Sequence, residues 1–311
     1  MSAPPPAISI VIPSRDTKEL TLACLASLGG AGPEREILLV DDGGRDGTAE
    51  AASALPGVTV LRSETSQGFT RSANRGLSAA RGRLLFLLNS DTEVEPDALA
   101  EIERAFAADP TLGAAGAALS YPDGRPQWSG GGEPTGLWLF VLASGIAPLL
   151  GRLRFYRRLR PIGRSGEVAW VTGAALAIRR EAFEQVGLLD EAFRFYAQDL
   201  DYCLRLRAAG WRVAILPGVR VRHHQGATIG TDPGASSGQH PELLWTDLLL
   251  WAGKHRGPSG RARARRALRA GAAFRALGRA AVRPFTRGSR RAAWMADDAA
   301  LEKARRALAA R

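Results

Sequence analysis

Cysteine, lysine and long apolar runs are scarce in this 311-residue chain, and each scarcity removes a class of protein from consideration. Cys24 and Cys203 are the only cysteines, and each lies in an apolar helical pattern, LACLASL and DYCLRLR. A disulfide framework is therefore not expected, and a reducing cytoplasm is the expected setting. The longest apolar run, Leu137 to Leu150, is interrupted by Ser144, Gly145 and Pro148. It falls short of the roughly 20 residues a membrane span needs, so a buried or interfacial helix is expected there. The opening residues, MSAPPPAIS, carry no charged segment followed by a long apolar one, and no signal peptide is expected. Lys18, Lys254 and Lys303 are the only lysines, which leaves arginine to supply nearly all of the positive charge.

That charge is unevenly placed. The net charge is +11, yet residues 257–311 hold 15 Arg and Lys against 3 Asp and Glu, while residues 1–256 hold 27 against 28. A neutral body over 1–256 followed by an Arg/Ala-rich tail over 257–311, helical or disordered, is the expected domain organisation. In the tail, Ala264, Ala267, Gly271, Phe274, Leu277 and Ala281 recur near a helical period among arginines. Such a helix can lie on an anionic leaflet, pack on the body or stay solvated, and coding bias toward Arg and Ala produces a similar composition. The arginines lack interleaved aromatics or a known nucleic-acid motif, so nucleic acid is not an expected partner. Peripheral association with the inner face of the membrane is the expectation that the tail raises.

Along the body, strand and helix patterns alternate. Strands are predicted at 7–12, 37–40, 58–61, 84–88 and 113–119, and helices at 18–28, 47–54, 70–80 and 96–108. Alternation of this kind predicts an α/β fold with a mostly parallel central sheet and helices on both faces. Residues 121–135, YPDGRPQWSGGGEPT, read as loop, and 152–164 as a basic connector. Order returns over Val168–Ile178. A helix from Glu181 to Val186 follows, then one containing Leu200–Ala209 that stops at Gly210, then a last short strand over Trp211–Leu216.

Two of these strands end on carboxylates. The apolar stretch LLFLL stops on Asn89-Ser90-Asp91, and EILLV runs into Asp41-Asp42 beside Gly43-Gly44, where the backbone can turn sharply. In open α/β sheets ligands gather outside the carboxyl ends of the strands. Two acidic strand ends in one such sheet point to a hydroxyl-rich nucleotide and a hard metal cation.

VDDGGRDGT at 40–48, NSD at 89–91, WVTGA at 170–174, QDLDYCLRLRAAGW at 198–211 and VRHHQGAT at 221–228 occur in the order seen in family 2 glycosyltransferases. The chain resembles that family, the inverting enzymes of the GT-A (Rossmann-like) fold, over roughly residues 7–256. KHRGP at 254–258 looks like the end of bacterial rhamnosyltransferase-like members. The resemblance implies transfer of a sugar, rhamnose as the first guess, from a nucleotide diphosphate donor to a hydroxyl of a glycan or lipid-linked acceptor in cell-wall or polysaccharide assembly. A divalent metal, Mg²⁺ or Mn²⁺, is implied as cofactor.

It also implies roles for particular residues. Asp42, with Asp41 close by, would hydrogen-bond the base and ribose, since a carboxylate accepts from ring N–H and ribose hydroxyl groups; as a lone motif it is equally suited to capping the next turn or helix. Pro13 to Arg15 would line the same pocket. Arg71 and Asn74, in GFTRSANRG, would approach the nucleotide, although a solvated helix arginine fits Arg71 as well. Asn89, Ser90 and Asp91 stand where the family has its Asp-x-Asp motif, with Asn89 in place of the first Asp, which leaves Asp91 as the principal metal ligand. His223 is the implied second ligand and His224 the competing one, on the opposite face if the segment is extended. Asp199 aligns with the base of the family's Glu-Asp dyad, with Gln198 in place of the Glu, and its alternative is a helix cap. Asp201 is assigned to structure. Trp170, Thr172, Gly173, Ala174, Tyr196 and Gln198, with Phe195, would shape the sugar and acceptor side, Trp170 being equally suited to the core. A binding protein that keeps the fold without turnover is the rival reading, resting on Asn89 and Gln198.

Overall fold

The computed structural model describes residues 4–30, 34–150, 166–224, 240–282 and 289–309. The expected connector 152–164 and the Gly226 and Thr228 end of the histidine motif lie outside the described residues. In chain order the elements are β1 (Ile8–Ser14), α1 (Lys18–Ser27), β2 (Arg35–Asp41), α2 (Thr48–Ser53), β3 (Val58–Arg62), α3 (Phe69–Ala79), β4 (Leu84–Leu88), β5 (Thr92–Val94), α4 (Ala98–Ala108), β6 (Leu112–Ser120), β7 (Gly130–Gly131), α5 (Gly136–Ser144), α6 (Ala147–Leu150), β8 (Gly166–Glu167), β9 (Trp170–Val171), β10 (Ala175–Arg179), α7 (Arg180–Val186), α8 (Gln198–Ala208), β11 (Arg212–His223), α9 (Pro241–Val282) and α10 (Ser289–Ala309). They fall into two units: 1–132 with 160–192 and 198–228, and 133–159 with 193–197 and 229–311.

The first unit is built on a mixed sheet ordered β3-β2-β1-β4-β10-β6-β11-β5, with β8 paired to β11. Strands β3, β2, β1 and β4 are mutually parallel, as the alternating pattern predicts. Strand β10 then enters antiparallel between β4 and β6, and β11 lies parallel to β6. One edge of the sheet therefore collects the carboxyl ends of β1, β2, β4, β6 and β11 together with the start of β10. Ligand chemistry belongs at that edge.

Strands β1, β4 and β10 are largely apolar and buried at the centre of the sheet, while β3 and β11 carry exposed polar positions. Ile8, Ile10, Ile12, Ile37, Leu39, Phe86 and Leu88 share one core with Cys24 and Leu25 of α1 and Leu99, Ile102 and Phe106 of α4. Each large side chain removed fully from water contributes about 1.5–3 kcal/mol. On α3, Gly76 is required by close approach: a Cβ there would stand 2.3 Å from Val11 Cγ1. Both cysteines are buried free thiols. Strand β11 runs on to His223 where the sequence predicts a stop at Leu216. The Pro217-Gly218 pair makes a register shift between Leu216 and Arg220, not an end, which is how a strand carries Pro and Gly at a bulge.

In the second unit the apolar run 137–150 divides into α5 and α6 at Gly145, which adopts φ +70°. Leu139, Val141 and Ala143 are buried, while Leu137 and Leu149 are exposed. Helix α5 packs against α9, where Gly271 meets the Phe140 carbonyl and Ala143. The expected boundary at 256/257 coincides with a break, Gly257 at φ +67° followed by Pro258, but the chain is helical on both sides of it. The tail stripe also divides: Ala264 and Gly271 are buried with Leu268 and Ala272, whereas Phe274 and Leu277 are 50% and 72% exposed. No described helix is long and apolar enough to cross a membrane.

Candidate active site

Strand β2 places Asp41 and Asp42 at the ligand edge, and the two carboxylates behave differently. Asp42 accepts from Gln67 N at 2.6 Å, Ser66 Oγ at 2.7 Å, Ser72 Oγ at 2.8 Å and Gly68 N at 3.0 Å. Four donors fill the acceptor positions of a carboxylate, so Asp42 caps α3 and pins the loop before it. The expectation places Asp42 against the nucleotide; in this structure its oxygens meet residues 66–72. Asp41 accepts from Gly44 N at 3.0 Å with one oxygen, and its other, Oδ2, has no hydrogen-bond partner among the described residues, although Arg62 Nε lies 3.4 Å away. Burial pushes the Asp41 carboxyl above its ordinary range, against the opposing pull of Gly44 and Arg62.

The neighbouring expectations resolve in the same way. Pro13 is a buried strand residue in register with Val40, while Arg15 is exposed and donates to Ser66 Oγ at 3.1 Å. Ser90 is buried in a hydroxyl chain, 3.1 Å from Thr17 Oγ1, which in turn meets Ser14 and Thr21. Asn74 forms a clasp: it donates to the Leu189 carbonyl at 2.9 Å and accepts from Leu189 N at 3.0 Å. Arg71 pairs with Glu191 at 3.1 Å on the same segment.

At the ends of β4 and β11 the predicted metal residues come together. His223 Nε2 lies 3.2 Å from Asp91 Oδ1 and 3.5 Å from the Asn89 side-chain nitrogen. Asp91 is 2% exposed, and among the described residues its Oδ1 and the Asn89 Oδ1 are buried without a hydrogen-bond partner. Buried acceptors left unpaired beside an imidazole nitrogen fit a divalent cation whose remaining positions are filled by oxygen ligands. No group of three or more His, Cys, Asp or Glu gathers as a metal cage among the described residues. His224 lies apart from this cluster, pairing with Glu93 at 2.7 Å, so alternation along the strand separates the two histidines. One member of the cluster escapes sequence reasoning: Gln127, in the Gly/Pro-rich loop after β6, whose amide oxygen is 3.0 Å from His223 Nδ1. An amide in a loop carries no motif.

Asp199 is the second residue of α8. It accepts from Gly173 N at 2.9 Å and from Leu200 N at 2.8 Å, and close surroundings desolvate it enough to raise its pKa. The preceding Ala197 holds φ +61°, a left-handed conformation that a non-glycine residue adopts only under constraint. Gln198 is buried with its Oε1 unpaired among the described residues. Asp201 is fully buried against Arg205 at 2.9 Å, the structural role predicted for it. Thr172 N donates to the Ser129 carbonyl, and Asn89 N donates to the Ala174 carbonyl at 3.0 Å, so residues 172–174 tie Asp199 and the β4 end to one stretch of backbone. Trp170 is core: its Nε1 donates to the Gly132 carbonyl at 3.1 Å and its ring meets Trp128 edge-on, centroids 5.0 Å apart. Tyr196 belongs to the second unit, where its N donates to Asp247 at 2.9 Å and its hydroxyl accepts from His240 N at 3.1 Å.

Comparison with known proteins bears on this arrangement. The family model described as "Glycosyl transferase family 2" matches residues 9–187. Protein y4gI of Sinorhizobium fredii is 33% identical over 72% of this chain, which spans only 25% of that protein. An N-acetylglucosaminyl-diphospho-decaprenol L-rhamnosyltransferase of Mycobacterium tuberculosis is 30% identical, covering 71% of this chain and 76% of the relative. Among solved structures, a mannosyltransferase from Pyrobaculum calidifontis in complex with GDP-Man and Mn²⁺ superposes with TM-score 0.56 at 18% identity, over 98% of this chain and 86% of that one. The fold is GT-A, and the chain belongs to glycosyl transferase family 2.

Proposed function

We propose that the protein is a metal-dependent, inverting glycosyltransferase that moves a sugar from a nucleotide diphosphate donor to a hydroxyl of a glycan or lipid-linked acceptor in cell-wall or polysaccharide assembly. The observation that carries this reading is the convergence of Asp91 Oδ1, Asn89 and His223 Nε2 at the sheet's ligand edge, on the same backbone stretch as Asp199. Asp91 and His223, with Asn89 beside them, would hold the divalent ion. When bound, that ion neutralises charge on the diphosphate leaving group.

The chain's own groups do the rest. Asp199, held by two backbone N–H groups and raised in pKa by burial, accepts the proton of the acceptor hydroxyl as the new bond forms. The loops after β1 and β2, shaped by Asp42 and lined by Asp41 and Arg15, receive the nucleotide. Rhamnose is the first donor sugar to try, because the Mycobacterium tuberculosis relative is named an L-rhamnosyltransferase. A panel of nucleotide sugars, read by release of free nucleotide diphosphate, tests the proposal. Turnover with a deoxyhexose donor supports it, and hydrolysis or transfer from none of the panel overturns it in favour of the binding-protein reading.

Membrane contact is proposed as part of this function. Arg263, Arg266 and Arg269 are exposed on α9, and Phe274 and Leu277 are exposed further along the same helix. The protein is expected to sediment with anionic vesicles and to be released as salt shortens the Debye length. Replacing the three arginines by Gln should weaken binding while turnover of a soluble acceptor is retained. Equal binding to neutral vesicles would refute an electrostatic attachment.

A further inference from the structure

The loop residue Gln127 makes a two-point contact with a single partner. Its side chain is 3% exposed, its Nε2 donates to the His223 carbonyl at 2.6 Å, and its Oε1 lies 3.0 Å from His223 Nδ1. A backbone carbonyl can only accept. The Gln127 nitrogen must therefore face it, which fixes the amide and turns the oxygen toward the ring. An amide oxygen can only accept as well, so Nδ1 carries the hydrogen and the neutral ring keeps its lone pair on Nε2. At Nε2 this sets a ring lone pair against the Asp91 oxygen, two acceptors that a cation between them would satisfy. The Asn89 amide nitrogen, a donor, stands 3.5 Å away, and Asp91 Oδ1, an acceptor with no hydrogen bond of its own, stands 3.2 Å away.

We propose that Gln127 is a positioning residue that locks His223 in the Nδ1–H tautomer and aims its Nε2 lone pair at the cation held with Asp91. This rests on the metal-site reading above and assigns the outer partner that orients the ligand. Such partners contribute through the ring's tautomer and rotation, not through contact with the metal. The same clasp binds the loop after β6 to the end of β11, so the ring is held at both its backbone and its Nδ1.

Two readouts on the full-length protein test the assignment. The first is the nitrogen chemical shifts of ¹⁵N-histidine-labelled, metal-free protein at alkaline pH. There are four histidines, and His223 is assigned by its loss in His223→Gln. Wild type should show protonated Nδ1 and unprotonated Nε2, and Gln127→Met should show a tautomer mixture. The second is Mn²⁺ alone, titrated and followed by electron paramagnetic resonance, for which Gln127→Met should weaken binding about 10- to 100-fold. Gln127→Glu keeps an acceptor at Nδ1 but loses the donor to the His223 carbonyl, so it should hold the tautomer with only part of the Mn²⁺ affinity, and thermal unfolding of both variants separates positioning from loss of fold. A protonated Nε2 in wild type, or Mn²⁺ affinity unchanged in Gln127→Met, overturns the proposal. Wild type that shows the Nδ1–H tautomer but binds no Mn²⁺ overturns the metal-site reading itself.

Discussion

Asp199→Asn is expected to lower turnover by about 10²- to 10⁴-fold, the contribution of a positioned base, while donor affinity changes little. Asn retains an oxygen to accept from Gly173 N or Leu200 N but cannot take the acceptor's proton. A cap alone would lose about 1 kcal/mol of stability and leave the chemical step intact. Burial raises the Asp199 pKa above its ordinary value, so the folded state holds its proton more tightly than the unfolded chain. Ionised Asp199 thus penalises folding at pH above the raised pKa, and the penalty disappears as pH falls through the ordinary value. Asn carries no such penalty but leaves one of the two backbone N–H groups without an acceptor, so the variant should lose the pH-dependent part of the penalty and stay close to wild type in stability near neutral pH. The acid limb of the wild-type turnover profile should likewise lie above the ordinary Asp range. Calorimetry of donor binding, kcat and thermal unfolding on one preparation check this, with Asp201→Asn as control. Normal turnover in Asp199→Asn would mean that the base lies elsewhere. Asp201→Asn removes the partner of Arg205 and should act through stability.

Asp91→Ala is expected to reduce metal-dependent turnover to background, and chelation should do the same to wild type. Asp91 Oδ1 has no hydrogen bond to lose, so the fold should survive the change. His223→Ala should leave measurable activity that calls for more metal, because the principal carboxylate remains. Titrating Mn²⁺ and Mg²⁺ into each variant separates the cases. Full activity of Asp91→Ala, or of chelated wild type, would remove the metal from the proposal.

The parallel half of the sheet and the acidic strand ends were legible because both rest on local pattern: apolar runs of strand length, then Asp beside Gly. His223 is preferred to His224 through the family resemblance, and the alternation of side chains along an extended strand gives the two different partners, Asp91 and Glu93. What stayed hidden depended on partners distant in sequence. Asp42 reads as a ligand-facing carboxylate until four donors from residues 66–72 are seen around it. Asn74 reads as polar and available until its amide is found on the backbone of Leu189, 115 positions away. Gln127 gave no signal, since its role is created by a contact across 96 positions. Strand β10 gave no hint of its direction, because an apolar run looks alike read either way.

The backbone link through residues 172–174 bears on how such an enzyme can diversify. The Asp199 carboxylate hangs on Gly173 N, and Asn89 N on the Ala174 carbonyl, so the spacing between the proposed base and the proposed metal end is set by the main chain of residues 173 and 174, not by their side chains. Residues that line the sugar and acceptor pockets can then be exchanged without shifting the reacting groups. New acceptors would be reached by substitution in the loops, while the catalytic ruler between β4 and α8 keeps its length.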